Sequence, residues 1–585
     1  MILSDKTANK IAKHLQKIYG ERFSESIVNE IYKLINDCHP TGTCQDSLWS
    51  QQDIILIVYG DSVLSDKKSP LKALSAFLKE YVNDTISCVH ILPFFPYSSD
   101  DGFSVMDYMN VNPDLGDWHD IRDISVNYDL MTDLVINHVS QHHQWFVNYL
   151  NNTVPGKDYF IMADPKTDLS SVVRPRSSPL LTEFQSVDGV RYVWTTFSHD
   201  QVDLNFRNPA VLIEMIRVFL FYLQKGARII RLDAIAFLWK QIGTSCLHLP
   251  ETHEVVKLLR TVGTAVDPGF LLLTETNVPN RENLGYFGAG DEAHMVYQFS
   301  LPPLLLYTLF SGNAEYLLKW LASLPDPGKD CTFLNFTASH DGIGIRPLEG
   351  LLPHSEIEKL LEGMQYSGGC LSLKRNPDGH ESVYEINITY FDALKDTTSG
   401  ADDLQVKRFL CSQVIMAGLK GIPAFYLHSL LAATNDYEGM NKTGKLRSIN
   451  RRKYSDSEIA SLLGEETISQ FVFRELKRII DIRKTQSAFH PDSLQAIYTG
   501  NNNFVSLTRI NNDTGETIHC ISNISARKTD FFIQFLNDPN IVFVDLLGNQ
   551  TFNGMVHKIT FDPYQTVWLK PVVKHVGTGN KNPYA

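Results

Sequence analysis

The stretch Ala227-Arg228-Ile229-Ile230-Arg231-Leu232-Asp233-Ala234 decides the architecture. Its apolar residues occupy both parities, which suits a strand covered on both faces, and it ends in a carboxylate. Working outward, seven further runs share that texture: Ile54–Tyr59, Cys88–Leu92, Leu130–Ile136, Phe270–Thr274, His294–Phe299, Thr332–Phe336 and Gly421–Tyr426. Helical stretches separate most of them. Eight buried parallel strands alternating with helices predict an α/β fold, a (β/α)8 TIM barrel, although a doubly wound open sheet gives the same alternation.

The 585 residues leave room for attachments to such a barrel. Residues 1–48 carry apolar positions at helical spacing (Ile11, Leu15, Ile18, then Ile27, Ile31, Leu34, Ile35). They predict an N-terminal helical extension of two amphipathic helices, free to dock on the barrel or on a second subunit. The barrel is assigned to 49–486. Within it, the intervals 139–207 and 342–403 are too long for simple crossovers and read as lids with little regular structure. From about Leu494 the pattern alternates, so 487–585 predicts a C-terminal antiparallel β domain, frayed from Gly577 onward.

Lys and Arg number 53 against 66 Asp and Glu, a net charge of −13, which gives nucleic acid or an anionic membrane no electrostatic support. The eight cysteines are scattered without a CxxC spacing, against a zinc ribbon or a dithiol redox site. Reduced thiols, with no signal-length apolar core near Met1 and no membrane-length apolar run, make a cytoplasmic protein the expectation.

Polar residues stand at the ends of four apolar runs: Asn137-His138, Arg231 with Asp233, Glu275, and His340-Asp341. In a parallel barrel these ends converge on one face. One such residue could merely cap a strand, but four ends together make a catalytic set. Two of its carboxylates would support glycosyl transfer with retention, one ionised as nucleophile and one protonated as acid. Arg231, two residues before Asp233 on the same strand face, would keep Asp233 ionised, and burial would raise Glu275. Spacing alone does not assign these roles.

Asp133–His138 (DLVINH), Ala227–Ala234 (ARIIRLDA), Leu271–Glu275 (LLLTE) and Ser339–Gly342 (SHDG) resemble, in order, the four signature regions of the α-amylase superfamily (glycoside hydrolase family 13). The resemblance implies a barrel with a lid after the third strand, Asp233 as nucleophile, Glu275 as acid/base and Asp341 as transition-state stabiliser. Arg231, His138 and His340 would line the donor-sugar site. A narrower resemblance is to the sucrose phosphorylases, carried by His90–Phe103 (HILPFFPYSSDDGF) and Arg447 in LRSINRR. It implies that Asp100 and Phe103 hold a donor glucose and that Arg447 pairs with Asp100 to exclude longer chains. It also implies that Arg174 and Arg176 lie in a phosphate-binding loop.

Three acceptor-side positions depart from that subfamily's pattern: Asn277 replaces a His, Phe237 a Tyr and Glu385 a Gln. Donor glucose is then retained while fructose recognition is not. The N-terminal extension and Thr274–Asn277 (TETN) are more similar to the subfamily's glucosylglycerate phosphorylases, against which the charge of Glu385 would repel a glycerate carboxylate. The expectation is a retaining glucoside phosphorylase acting on glucosylglycerate, with inorganic phosphate as substrate and no cofactor or metal. Sucrose or glucosylglycerol as substrate, an α-glucosidase or transglucosidase, and an inactive binding scaffold are the alternatives, and a homodimer stays open. His142-His143 then read as surface residues of the lid.

Overall fold

The carboxylate-bearing run is the fourth strand of a closed barrel in the computed structural model, which describes residues 5–40, 47–375, 380–464, 466–533 and 538–573. Its strands are β1 (Ile55–Val58), β2 (Cys88–Ile91), β3 (Asp129–Val135), β4 (Ala227–Asp233), β5 (Leu271–Thr274), β6 (Met295–Tyr297), β7 (Thr332–Phe336) and β8 (Ile422–Tyr426). Neighbours pair in parallel around the ring, and β8 returns to β1. The open-sheet alternative is thereby excluded. Every residue of β1, β2, β5, β6, β7 and β8 is buried, because side chains fill the barrel on one face and meet helices on the other.

Register places the chemistry. Asp133 on β3 pairs with Arg231 on β4, and Val135 pairs with Asp233. Leu232 pairs with Thr274, so Glu275 follows directly beyond the edge at which Asp233 ends. The carboxyl ends of β3, β4 and β5 therefore deliver their polar residues at one level.

The first lid interval is more regular than its composition suggests. It holds a helix (Gln144–Leu150), a strand pair (His138–Ser140 with Gln201–Asp203) and a hairpin (Leu181–Ser186 with Gly189–Trp194) turning at Val187-Asp188. The hairpin is half exposed on both strands, so no apolar stripe marked it. The second interval folds as a three-stranded sheet of Ile343–Gly344, Glu381–Asn387 and Cys370–Arg375, with Glu381–Asn387 central, beside helix His354–Tyr366. Residues 376–379 lie outside the described residues, as does the tail from 574.

The C-terminal sheet orders its strands Leu494–Tyr498, Phe504–Ile510, Thr517–Asn523, Thr566–Val573, Ile541–Asp545 and Thr551–Asn553. Two fully buried arginines seam it to the barrel. Arg483 donates to the carbonyls of Ala417, Gln51, Gly421 and Phe489, and Arg509 to those of Gly418, His490 and Leu494.

At the other end of the chain, α1 (Asp5–Tyr19) and α2 (Glu25–Asp37) dock on the barrel's own helices α3 (Pro209–Gln224) and α4 (Pro250–Val266). Ile11, Leu15, Ile18, Ile27, Ile31 and Ile35 are all buried there. Among the described residues no helix is long and apolar enough to cross a membrane.

Candidate active site

Arg231 organises the floor of the pocket. Its Nη1 donates to Asp233 Oδ1 at 2.8 Å and also to Asp133, which takes a second bond of 2.7 Å from His90 Nε2. Burial alone would raise the Asp133 carboxyl, but Arg231 and His90 outweigh it and hold Asp133 below its usual value. A permanently charged guanidinium is thus shared between a fixed carboxylate beneath and Asp233 above.

Glu275 sits against the same turn. Ala234, the residue after Asp233, has a left-handed φ of 52°, and its N–H donates to Glu275 Oε2 at 3.0 Å. Burial pushes the Asp233 carboxyl well above its usual range, opposed by Arg231 and reinforced by Glu275, Asp133 and Asp341. Glu275 is raised by burial as well, opposed by Arg231 and reinforced by Asp341. Two carboxyls crowded in this way titrate as a pair, and both are pushed toward the protonated form. Asp233 has the nearer counter-charge, a guanidinium at 2.8 Å, whereas the partner of Glu275 is one backbone N–H.

Asp341 completes the carboxylates. Burial opposes its ionisation, but Arg447 Nη1 at 2.7 Å, His340 and Arg451 hold it far below the usual carboxylate range. The His340 ring stacks on Phe103 at 4.9 Å between centroids with 4° between planes, and burial pushes its pKa down to about 3. His138 is also lowered by burial. It donates from Nε2 to the Phe103 carbonyl at 2.9 Å while Asn137 donates to its Nδ1. Both rings are fixed, His138 by protein partners on both nitrogens and His340 by its stack on Phe103.

The expected Arg447–Asp100 ion pair is not formed. Arg447 turns the other way, onto Asp341 and Glu385, with Nε and Nη2 each 2.8 Å from a Glu385 oxygen. Arg451, four residues later, takes the place at the aspartates: Nη1 is 2.6 Å from Asp101 Oδ2 and 3.9 Å from Asp100 Oδ1. Its Nε donates to the His340 carbonyl at 2.8 Å. The cause is backbone shape, since residues 446–450 form a tight 3-10 turn that separates Arg447 from Arg451 within LRSINRR.

On the side away from Asp100, strand Glu381–Asn387 supplies Tyr384 and Glu385. The Arg176 guanidinium lies 4.8 Å over the Tyr384 ring, and half-buried Arg174 is two residues upstream in the same loop. Asn277 abuts Gly344, the register partner of Glu385. Phe237 meets Phe197 edge-on at 5.3 Å, and Phe197 in turn contacts the His138 ring at 5.2 Å. Asn277, Glu385 and Arg176 are thus gathered around the strand Glu381–Asn387, whereas Phe237 reaches the site through Phe197 on the His138 side and Arg174 shares the loop of Arg176. His143 is not a surface residue: it is buried, and its ring accepts the Trp145 N–H at the start of helix Gln144–Leu150.

Several participants were not singled out from the sequence. His90 and Asp133 carried a signal, a polar residue inside each of two otherwise apolar runs. Lys240 and Asp203 did not, being far apart in the chain. They form a buried pair at 2.7 Å that also holds Asn137 Oδ1, and burial lowers the Lys240 amine.

A parallel barrel that gathers one arginine, two neutral imidazoles and three carboxylates at its carboxyl end is a glycosyl-transfer enzyme of the amylase type. The chain belongs to the α-amylase family: the model of the alpha amylase catalytic domain matches residues 69–319. It is 44% identical over 566 residues to the glucosylglycerate phosphorylase of Escherichia coli (strain K12), covering 96% of this chain and all of that one. It is also 44% identical to that of Spirochaeta thermophila over 89% of this chain and 90% of that one. Among solved structures, the sucrose 6F-phosphate phosphorylase from Thermoanaerobacter thermosaccharolyticum is similar with a TM-score of 0.71 at 28% identity, covering 83% of this chain and 96% of that one.

Proposed function

We propose that this protein is a retaining glucoside phosphorylase that transfers the glucosyl unit of glucosylglycerate to phosphate, giving α-glucose 1-phosphate. An Asp233 oxygen attacks the anomeric carbon as the bond to glycerate breaks, and Glu275 gives its proton to the departing oxygen. A phosphate oxygen then attacks the glucosyl–Asp233 ester, and Glu275 takes back a proton. Two inversions leave the anomeric configuration unchanged, and the two carboxyls of such a pair stand about 5–5.5 Å apart. Asp341 stabilises the cationic transition state, and His138, His340, Phe103 and Asp100 hold the glucose. Phosphate is a substrate, no cofactor or metal enters the scheme, and the cytoplasm would supply both reactants.

The observation that carries this reading is the cation at the pocket's second side. A hydrolase needs only water there, whereas phosphate meets three carboxylates. At an effective dielectric of 20, like unit charges 4 Å apart repel by about 4 kcal/mol. Arg176 over Tyr384 offers a fork for phosphate oxygens at that place. Glycerate is favoured over fructose by the 44% identity to enzymes of that name against 32% to a sucrose 6(F)-phosphate phosphorylase. Glu385 no longer argues against it, because both its oxygens are engaged by Arg447.

Phosphate release from glucose 1-phosphate, screened against glycerate, fructose and glycerol, tests the assignment. Glycerate should be the best acceptor, and preference for either of the others would replace it. Arg176→Ala should raise the phosphate KM at least tenfold, and an unchanged constant would move the phosphate site elsewhere.

A further inference from the structure

Arg447 is left without its expected task, since it does not close the donor site, and the contacts it does make define another. We propose that Arg447, oriented by Glu385, binds the carboxylate of the acceptor, so that the protein selects acceptors with a carboxylate beside the reacting hydroxyl. This rests on the phosphorylase reading above and names the residue that gives it acceptor selectivity.

The guanidinium is fixed before any acceptor arrives. Glu385 takes Nε–H and one Nη2–H, each at 2.8 Å, and Asp341 takes one Nη1–H at 2.7 Å. Three of the five N–H groups are thereby occupied and two remain for a ligand. Glu385 itself is anchored: it is 1% exposed, lies in the central strand of the second lid sheet, and packs over Gly342, the residue after Asp341. A carboxylate alone in that strand would repel an anion. Paired side-on with Arg447, it instead locks the fork in one orientation, which lowers the ordering cost of binding.

Position fits the ligand. The acceptor hydroxyl must reach the anomeric carbon between Asp233 and Glu275, so a carboxylate on the adjacent carbon falls within a few ångströms of Asp341, where Arg447 ends. Arg176 stands over Tyr384, the neighbour of Glu385. The two anions the enzyme must take in turn therefore have one arginine each, Arg447 for the acceptor and Arg176 for phosphate. Asn277, packed at Gly344 in the same strand register, is neutral and does not compete for the carboxylate.

The test compares glycerate with glycerol, which lacks the carboxylate, in the full-length wild type and in Arg447→Ala and Arg447→Gln. Loss of one charge-assisted pair should lower the glycerate-to-glycerol ratio of kcat/KM by about 10- to 100-fold in both variants, whatever happens to the rate common to the two. Calorimetric binding of glycerate to the resting enzyme should weaken in parallel, so that folded but slow variants still report. A ratio within twofold of wild type, or unchanged glycerate affinity, would overturn the role of Arg447 while leaving the phosphorylase reading intact. A wild type that releases phosphate with glycerol but not with glycerate would overturn both.

Discussion

Asp341 is the residue on which the two sides of the pocket meet. It faces the catalytic pair, and it also receives the same Arg447 that grips Glu385. Its charge is among the causes that raise Glu275, after burial. In the mechanism proposed above Glu275 is protonated when the glucoside bond breaks, so activity should fall on the alkaline side as it ionises. Asp341→Asn removes a negative neighbour while Arg447 stays paired with Glu385, and the lost charge favours the ionised form of Glu275. The alkaline limb of kcat/KM for the glucoside should therefore move to lower pH in the residual activity of that variant. A pH–rate profile with an unmoved limb would show that Asp341 has no electrostatic hold on Glu275. Sequence spacing suggested which carboxylates share the face, but not which cations neutralise them. Arg447 and Arg451 are four residues apart, and which of them meets Asp100 is decided by a tight turn that no periodicity records.

At the scale of elements, the barrel was legible because its strands are short apolar runs of strand length, and each of the eight runs became a barrel strand. The lid hairpin was not legible, since one of its strands is nowhere fully buried and the other is buried only at Val193-Trp194, too little for an apolar stripe. The turn after β2 was hidden for a different reason. Asp100, Asp101 and Gly102 have consecutive positive φ values of 53°, 51° and 114°. Two non-glycine residues in the left-handed region cost free energy, and such outliers persist where surrounding contacts hold them. Here Arg451 grips Asp101 at 2.6 Å, and Gly102 lies so close to Pro93 that an added Cβ would come 2.5 Å from its carbonyl oxygen. Gly102→Ala should therefore shift this turn and with it Asp100 and Phe103. The expected outcome is at least a tenfold rise in glucoside KM, with a local cost on the order of 2 kcal/mol. Kinetics alongside thermal unfolding would check it, and a variant with wild-type KM would show that the turn does not position the donor site.

For the whole molecule, the sequence left open whether the N-terminal helices meet the barrel or a second subunit, because amphipathic spacing specifies a buried face but not its partner. The structure shows the barrel side of that choice in one polar contact. His14 Nδ1 donates to Glu254 Oε2 at 2.8 Å, Thr261 approaches the other ring nitrogen at 3.5 Å, and Lys17 meets the second Glu254 oxygen at 2.9 Å. That arrangement uses a neutral imidazole as donor at one nitrogen and acceptor at the other. Burial lowers the His14 pKa from its unfolded value of 6.5, against the pull of Glu254. A base whose folded pKa is depressed binds protons less readily when docked than when free. Docking is therefore unaffected above about pH 6.5 and weakens as pH falls below that value, until the docked form also takes the proton. Corrected for the intrinsic slowing of amide exchange with falling pH, protection of residues 5–37 should drop between pH 7.5 and 5.5 more than protection in the barrel strands does. In His14→Gln the ring is gone and that extra pH dependence should vanish; if the variant keeps it, another group controls how the helices are held.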